Sequence, residues 1–173
     1  VAVARVAWEE MATHPLGTHR IHIYNPESSG DRSRAADVTI VEILNDNMPF
    51  LVDSVMGELQ ASGFEVRLVL HPILSVERSD SGELVRYAGA GKAGGEGCRR
   101  ESLIHIHVAR IDTAQERSQL AERLEAVMTD VRAAVRDWSA MRDRLATAIA
   151  TYKENPPPVP VDELAEAIQF LEW

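Results

Sequence analysis

The stretch from Val38 to Gly63 constrains the fold most. Val38-Thr39-Ile40-Val41-Glu42-Ile43-Leu44 is a β-branched run of strand type. It passes into Asn45-Asp46-Asn47-Met48-Pro49, a cluster of turn-forming residues. An amphipathic helix follows to about Ser62, with Leu51, Val55 and Leu59 in an i, i+4 row and Val52 and Met56 beside it. Gly63 is placed to end that helix in a left-handed cap. A strand that turns straight into a helix needs a sheet on which to lay the helix's apolar row.

The rest of the chain supplies that sheet. His19–Tyr24 alternates, with Ile21 and Ile23 on one face, and closes at Asn25-Pro26. Residues 27–37 read as a loop. From Phe64 to Glu77 the pattern predicts a long strand with Phe64, Val66, Leu68 and Leu70 on one face and Glu65 and Arg67 on the other. Pro72 cannot donate to a ladder, so that strand is at an edge or bulged there. Ser79-Asp80-Ser81-Gly82 is a turn, and Glu83–Ala88 returns as a short hairpin partner. Residues 89–100 are glycine-rich. Ser102–Ile111 is another strand, with Ile104, Ile106 and Val108 on its core face. Asp112 or Thr113 then caps a long helical region. Its apolar stripe runs through Leu120, Leu124, Val127, Met128, Val131, Val135, Trp138, Met141, Leu145 and Ile149. A straight helix over 114–151 would be roughly 55 Å long, so a break is expected near Asp137-Trp138-Ser139. Pro156-Pro157-Pro158 and Pro160 form a stiff spacer. Asp162 is the expected cap of a last helix carrying Leu164, Ile168 and Leu171.

This order predicts an α+β fold: a ferredoxin-like sandwich with a mainly antiparallel sheet, helices on one face and a C-terminal helical extension. The expected division is a weak helical lead-in at 1–17, the α+β domain at 18–137, a helical extension at 138–155, and the spacer with the start of a helix at 156–173. The chain begins at Val1 without methionine and ends on Trp173 inside an apolar stripe, so it reads as a piece of something longer.

Composition narrows the function classes. Of the 173 residues, 45% are hydrophobic and 26% charged, ordinary for a globular chain and incompatible with wholesale disorder. A net charge of −9 argues against a nucleic-acid backbone or an anionic membrane surface as partner. No apolar run approaches the roughly 20 residues of a bilayer span. A single cysteine, Cys98, excludes an internal disulfide and favours a reducing, cytoplasmic setting.

Four separated segments carry a family resemblance. They are Val41–Val55, Glu101-Ser102-Leu103-Ile104-His105-Ile106-His107, the helix with Asp137-Trp138 and Met141-Arg142, and Glu166–Trp173. In this order they resemble the N-terminal region of the large bacterial NAD-specific glutamate dehydrogenases, over roughly residues 18–173. That region is similar to ACT domains, regulatory modules that bind small amino acids. The resemblance implies NAD-dependent conversion of L-glutamate to 2-oxoglutarate and ammonia in the parent enzyme. No catalytic residue and no cofactor are implied in the segment itself. The implied partners are a small amino-acid effector, the remaining domains of the parent chain, and further copies in a homo-oligomer.

The effector site that the resemblance points to is Asn45, Asp46, Asn47, Met48, Pro49 and Phe50. ACT domains usually read Asp-x-Pro-Gly-Leu-Leu here. This chain has one extra residue before Pro49, and Phe50 stands where glycine is usual. Pro49 is expected at the helix start, where it gives up an amide that lacks a helical partner anyway; the remaining free amides suit a carboxylate, and the Asn-Asp-Asn run suits an ammonium. The plainer alternative is that Asp46 and Asn47 cap the helix and Phe50 is a core or dimer contact. An ACT domain also has a fourth strand after its second helix, where this chain is helical, so the strand at 19–24 is expected to fill that edge.

Other motifs carry less. Gly89-x-Gly91-x-x-Gly94 spells a dinucleotide fingerprint, but a strand rather than a helix is expected after it. His105 and His107 share a strand face without a third metal ligand at useful spacing. Cys98 lies beside Arg99 and Arg100 with no base in view. The outward residues Val69, Ile73, Leu103, His105 and His107 motivate a competing reading, an assembly module without a ligand.

Overall fold

The computed structural model describes residues 6–9, 11–26, 37–91, 95 and 97–172. The loop expected at 27–37, apart from Asp37, the centre of the glycine-rich run and Trp173 lie outside these residues, as do 1–5 and 10 of the lead-in helix, which is helical at 6–9. The elements in order are β1 (His19–Tyr24), β2 (Val38–Asp46), α1 (Leu51–Ala61), β3 (Val66–Leu70), β4 (Ile73–Arg78), β5 (Leu84–Ala90), β6 (Arg99–Ala109), α2 (Ala114–Glu154) and α3 (Val161–Glu172). The chain divides into two compact units, Val1–Val131 and Arg132–Trp173.

In the first unit the strands form one sheet, in the order β1-β2-β6-β4-β5, with β3 also on β6. Every pairing is antiparallel. β2 and β3 both run against β6 and are therefore parallel to each other across it, joined by α1. β1 fills the edge beside β2, as the sequence predicted, with Ile21 opposite Ile43 and Ile23 opposite Val41. One sheet face holds Val41, Ile43, Ile104, Ile106 and Val108; all are buried, as are Leu51, Val55 and Leu59 of α1 and Leu120, Leu124 and Met128 of α2. Burial of each such side chain contributes about 1.5–3 kcal/mol. This is the α+β, ACT-like sandwich.

Local chemistry explains the element ends. Gly63 takes φ 75°. Phe64 N donates to Leu59 O at 3.0 Å and Gly63 N to Gln60 O at 3.0 Å, the paired bonds that close a helix on a left-handed residue. Thr113, not Asp112, caps α2. Its Oγ1 accepts from Glu116 N at 3.2 Å, a side-chain N-cap, and donates to Glu116 Oε2 at 2.6 Å.

Four expectations need correction. First, a bulge between Val66 and Leu68 inserts an extra residue and reverses the alternation of β3. Val69 then lies opposite buried Ile106 on the helix-covered face, while Leu68 and Leu70 lie opposite His107 and His105 on the other. Ile73 likewise falls opposite Ser102, on the helix side. Of the five outward residues proposed, Leu103, His105 and His107 lie on the face away from the helices, where Leu103 packs against Met11, Leu44, Leu74 and Val76. Second, α2 is unbroken from Ala114 to Glu154. A residue's preference for capping is worth about 1 kcal/mol and does not stop a helix whose next turns continue to bond. Third, Pro49 precedes α1 instead of starting it, because Phe50 holds the N-cap position. Fourth, Asp162 lies within the first turn of α3, which begins at Val161.

Candidate functional site

The turn from β2 into α1 is where the sequence placed a ligand, and the structure gives each of its residues a distinct position. Asn45 and Asp46 are the last residues of β2. Asn45 is buried, and its Nδ2 donates to Asp46 O at 2.9 Å. The Asp46 carboxylate points back, its Oδ2 accepting from Gly17 N at 2.8 Å. Neither side chain caps the helix. Asn47 is exposed, and its backbone N–H donates to Arg100 O at 3.0 Å. Met48 is half-buried and Pro49 exposed.

Phe50 is the unusual residue. Its φ is 69° and ψ −2°, a left-handed conformation, and among the described residues no other non-glycine has positive φ. Such a conformation costs an L-residue about 1–2 kcal/mol. The side chain is 50% exposed and makes no capping hydrogen bond. The position therefore keeps the backbone shape that a glycine takes freely, with an aromatic ring carried outward. Phe50 O accepts from Ser54 N at 3.0 Å, while the first-turn amides of Leu51, Val52 and Asp53 have no intrahelical acceptor.

Behind the turn lies a buried ionic clasp that sequence reasoning missed. Glu101 is fully buried on β6. Arg78 grips it with Nε on Oε1 and an outer guanidinium nitrogen on Oε2, both at 2.7 Å. Arg99 Nε reaches Oε1 at 2.6 Å, and His14 Nδ1 lies 3.1 Å from the same oxygen. Burial by itself raises this carboxyl's pKa; hydrogen bonds from His14 and Arg78 and the charge of Arg78 outweigh it and hold the group at about 2. Arg78 also donates to Met11 O and Gly82 O, each at 2.9 Å. Thus the segment 11–18 is strapped across one end of the sheet, and its Gly17 is what engages Asp46. The sequence signal was a carboxylate in a strand with an alternating apolar face, directly after two arginines.

On the helix-covered face, His19, Asn45 and Ser102 lie side by side across β1, β2 and β6. His19 Nε2 contacts Glu125 of α2. His71 Nε2 is 2.7 Å from Ser102 Oγ, and burial lowers the pKa of His71. On the other face, Glu42, His105 and His107 form a second chain. Among the described residues no group of three His, Cys, Asp or Glu is arranged to hold a metal ion. Cys98 is half-buried, 3.5 Å from an Arg86 nitrogen. Gly89 and Gly91 lie at the end of β5, and among the described residues the next element is strand β6 rather than a helix.

Two open clefts flank the linker from α1 to β3. One, of about 600 Å³, is lined by Asp53, Met56, Gly57, Gln60 and Gly63–Val66. The other, of similar size, is lined by Gly63–Glu65, Ala109–Thr113 and Glu116. Neither includes Asn45–Phe50. No described helix is long and apolar enough to cross a membrane.

Comparison with known proteins agrees with this architecture. The family profile for the glutamate dehydrogenase ACT1 domain matches residues 1–124. The NAD-specific glutamate dehydrogenase of Pseudomonas aeruginosa is 30% identical over 167 residues, which cover 96% of this chain and 10% of that protein. The NAD-specific glutamate dehydrogenase of Halomonas elongata is 33% identical over 155 residues, covering 89% of this chain and 10% of that protein. The chain thus spans about a tenth of the length of these curated relatives. With a profile matched over most of its length, on a sheet and helix order of the ACT type, the chain belongs to the glutamate dehydrogenase ACT1 domain family.

Proposed function

We propose that this chain is the N-terminal, amino-acid-sensing regulatory domain of an NAD-dependent glutamate dehydrogenase. The parent enzyme would convert L-glutamate to 2-oxoglutarate and ammonia, with NAD bound elsewhere in the longer protein. The chain itself carries out no catalysis. The observation that carries this reading is the entrance to α1, where Phe50 holds a glycine-like left-handed backbone beside exposed Asn47 and Pro49. An effector's carboxylate would bind the amides of Leu51–Asp53 at the positive end of the helix. Its ammonium would bind Asn47. Asp46, held by Gly17, would fix the loop. Calorimetry with a panel of amino acids tests this: binding of at least one at submillimolar concentration is expected, and no heat from any of them up to millimolar concentration would remove the sensing role.

A second reading is an assembly module without a ligand. Exposed Phe50 and Leu70, each 50% accessible, favour it. Sedimentation of the full-length enzyme with and without this domain tests it, since an oligomer unchanged by the deletion would exclude it.

A further inference from the structure

We infer that Glu42, His105 and His107 form a proton-counting couple on the sheet face opposite the helices: it holds one shared hydrogen between the two imidazoles and breaks when both rings are charged. Glu42 of β2 and His105 of β6 are register partners, and His107 follows two residues on, on the same face. Glu42 is 3% exposed. Its Oε1 lies 2.8 Å from His105 Nδ1 and accepts from Tyr24 Oη at 3.3 Å. Its Oε2 is buried with no hydrogen-bond partner among the described residues. The carboxylate can only accept, so His105 Nδ1 carries a hydrogen.

His105 Nε2 lies 2.9 Å from His107 Nε2. Two ring nitrogens at that distance bond only if one donates and the other accepts. The couple satisfies this when neutral, with His107 donating, and also when it carries one extra proton beside Glu42. A second extra proton puts two N–H groups face to face and the contact must open. The surroundings of His107 oppose the second. Burial, and then the charge of His105, lower the pKa of His107, with Glu42 acting in the opposite direction.

Among the described residues, the groups that face this couple leave Glu42 as its nearest counter-charge. β1 brings Arg20, His22 and Tyr24 to this face. β3 brings Leu68 and Leu70. Its Arg67 is engaged with Asp37 O and Glu65. Further along β6, Glu101 is held by Arg78 and Arg99. When the contact opens, the His107 ring leaves its register partners Ile40 and Leu68. Ile40 is 1% exposed, so acid would uncover apolar surface here.

A titration of the chain followed by imidazole nitrogen NMR tests this. The expected result is two coupled steps separated by more than about one pH unit, the lower accompanied by amide shifts at Ile40 and Leu68. In Glu42→Gln the upper step moves down by at least about one unit. Single, independent steps for His105 and His107 within about 0.3 unit of each other, with no amide change on β2 or β3, would overturn it. If the variant does not fold, the titration of the parent chain decides.

Discussion

Arg78 and Glu101 join in a two-pronged ion pair with both N–O distances at 2.7 Å, and their side chains are only 2% and 0% exposed. The pair ties the end of β4 to the start of β6, and the remaining Arg78 nitrogen secures the segment 11–18. Removing one partner leaves a buried charge without compensation, which costs about 3–5 kcal/mol. Arg78→Met and Glu101→Gln are each expected to lose that much in urea unfolding. A loss below about 1 kcal/mol in both would show that the clasp is not structural.

The same clasp fixes the acid response. The pKa of Glu101 is about 2 when folded against an ordinary 4.5, so the folded state binds fewer protons between those values. Its contribution is complete above pH 4.5 and lost as pH falls through about 2. His71 and His107 are lowered from 6.5, so they too withdraw stability as pH falls below that value. Unfolding free energy is therefore expected to decline from about pH 6.5 and more steeply below 4.5, with Glu101→Gln flattening only the lower limb.

Two glycines should respond oppositely to alanine. At Gly82, φ is 86°, and an added Cβ would lie 2.7 Å from His14 C and Pro15 N, both backbone atoms. Gly82→Ala is expected to cost more than about 1–2 kcal/mol and to loosen the 11–18 strap. Gly57 is inside α1, and an added Cβ meets nothing within 4 Å. Gly57→Ala is expected to stabilise by roughly 0.5–1 kcal/mol. Thermal melts of the two variants check both signs.

Phe50 gives a graded test of its backbone. A β-branched residue tolerates the left-handed region poorly. Phe50→Val is expected to be less stable than Phe50→Gly by about 1–2 kcal/mol. Equal stabilities would mean that the position is relaxed.

Where periodicity was strong, the fold was legible. Ile104, Ile106 and Val108 alternate onto the core, Leu51, Val55 and Leu59 repeat at helical spacing, and all six are buried. The edge role of β1 followed from its alternation and from the missing late strand. The bulge at Val66–Leu68 was not legible, because an inserted residue leaves no compositional mark and yet inverts everything after it. The pairing of Arg78 with Glu101 depends on the β4–β6 register, which links residues 23 apart. The turn Asn45–Phe50 was legible as the junction of β2 and α1, and the place of each residue within it was not, since Asp46 is claimed by Gly17, 29 positions earlier.

The proposed sensing role requires the start of α1 to receive an amino acid's carboxylate. Amide NMR mapping of the chain titrated with individual amino acids tests it most directly. Saturable shifts concentrated at Asn47, Leu51, Val52 and Asp53 are expected for at least one of them, abolished when the carboxylate is replaced by an amide. Shifts confined to other elements, or none at millimolar concentration, would contradict it.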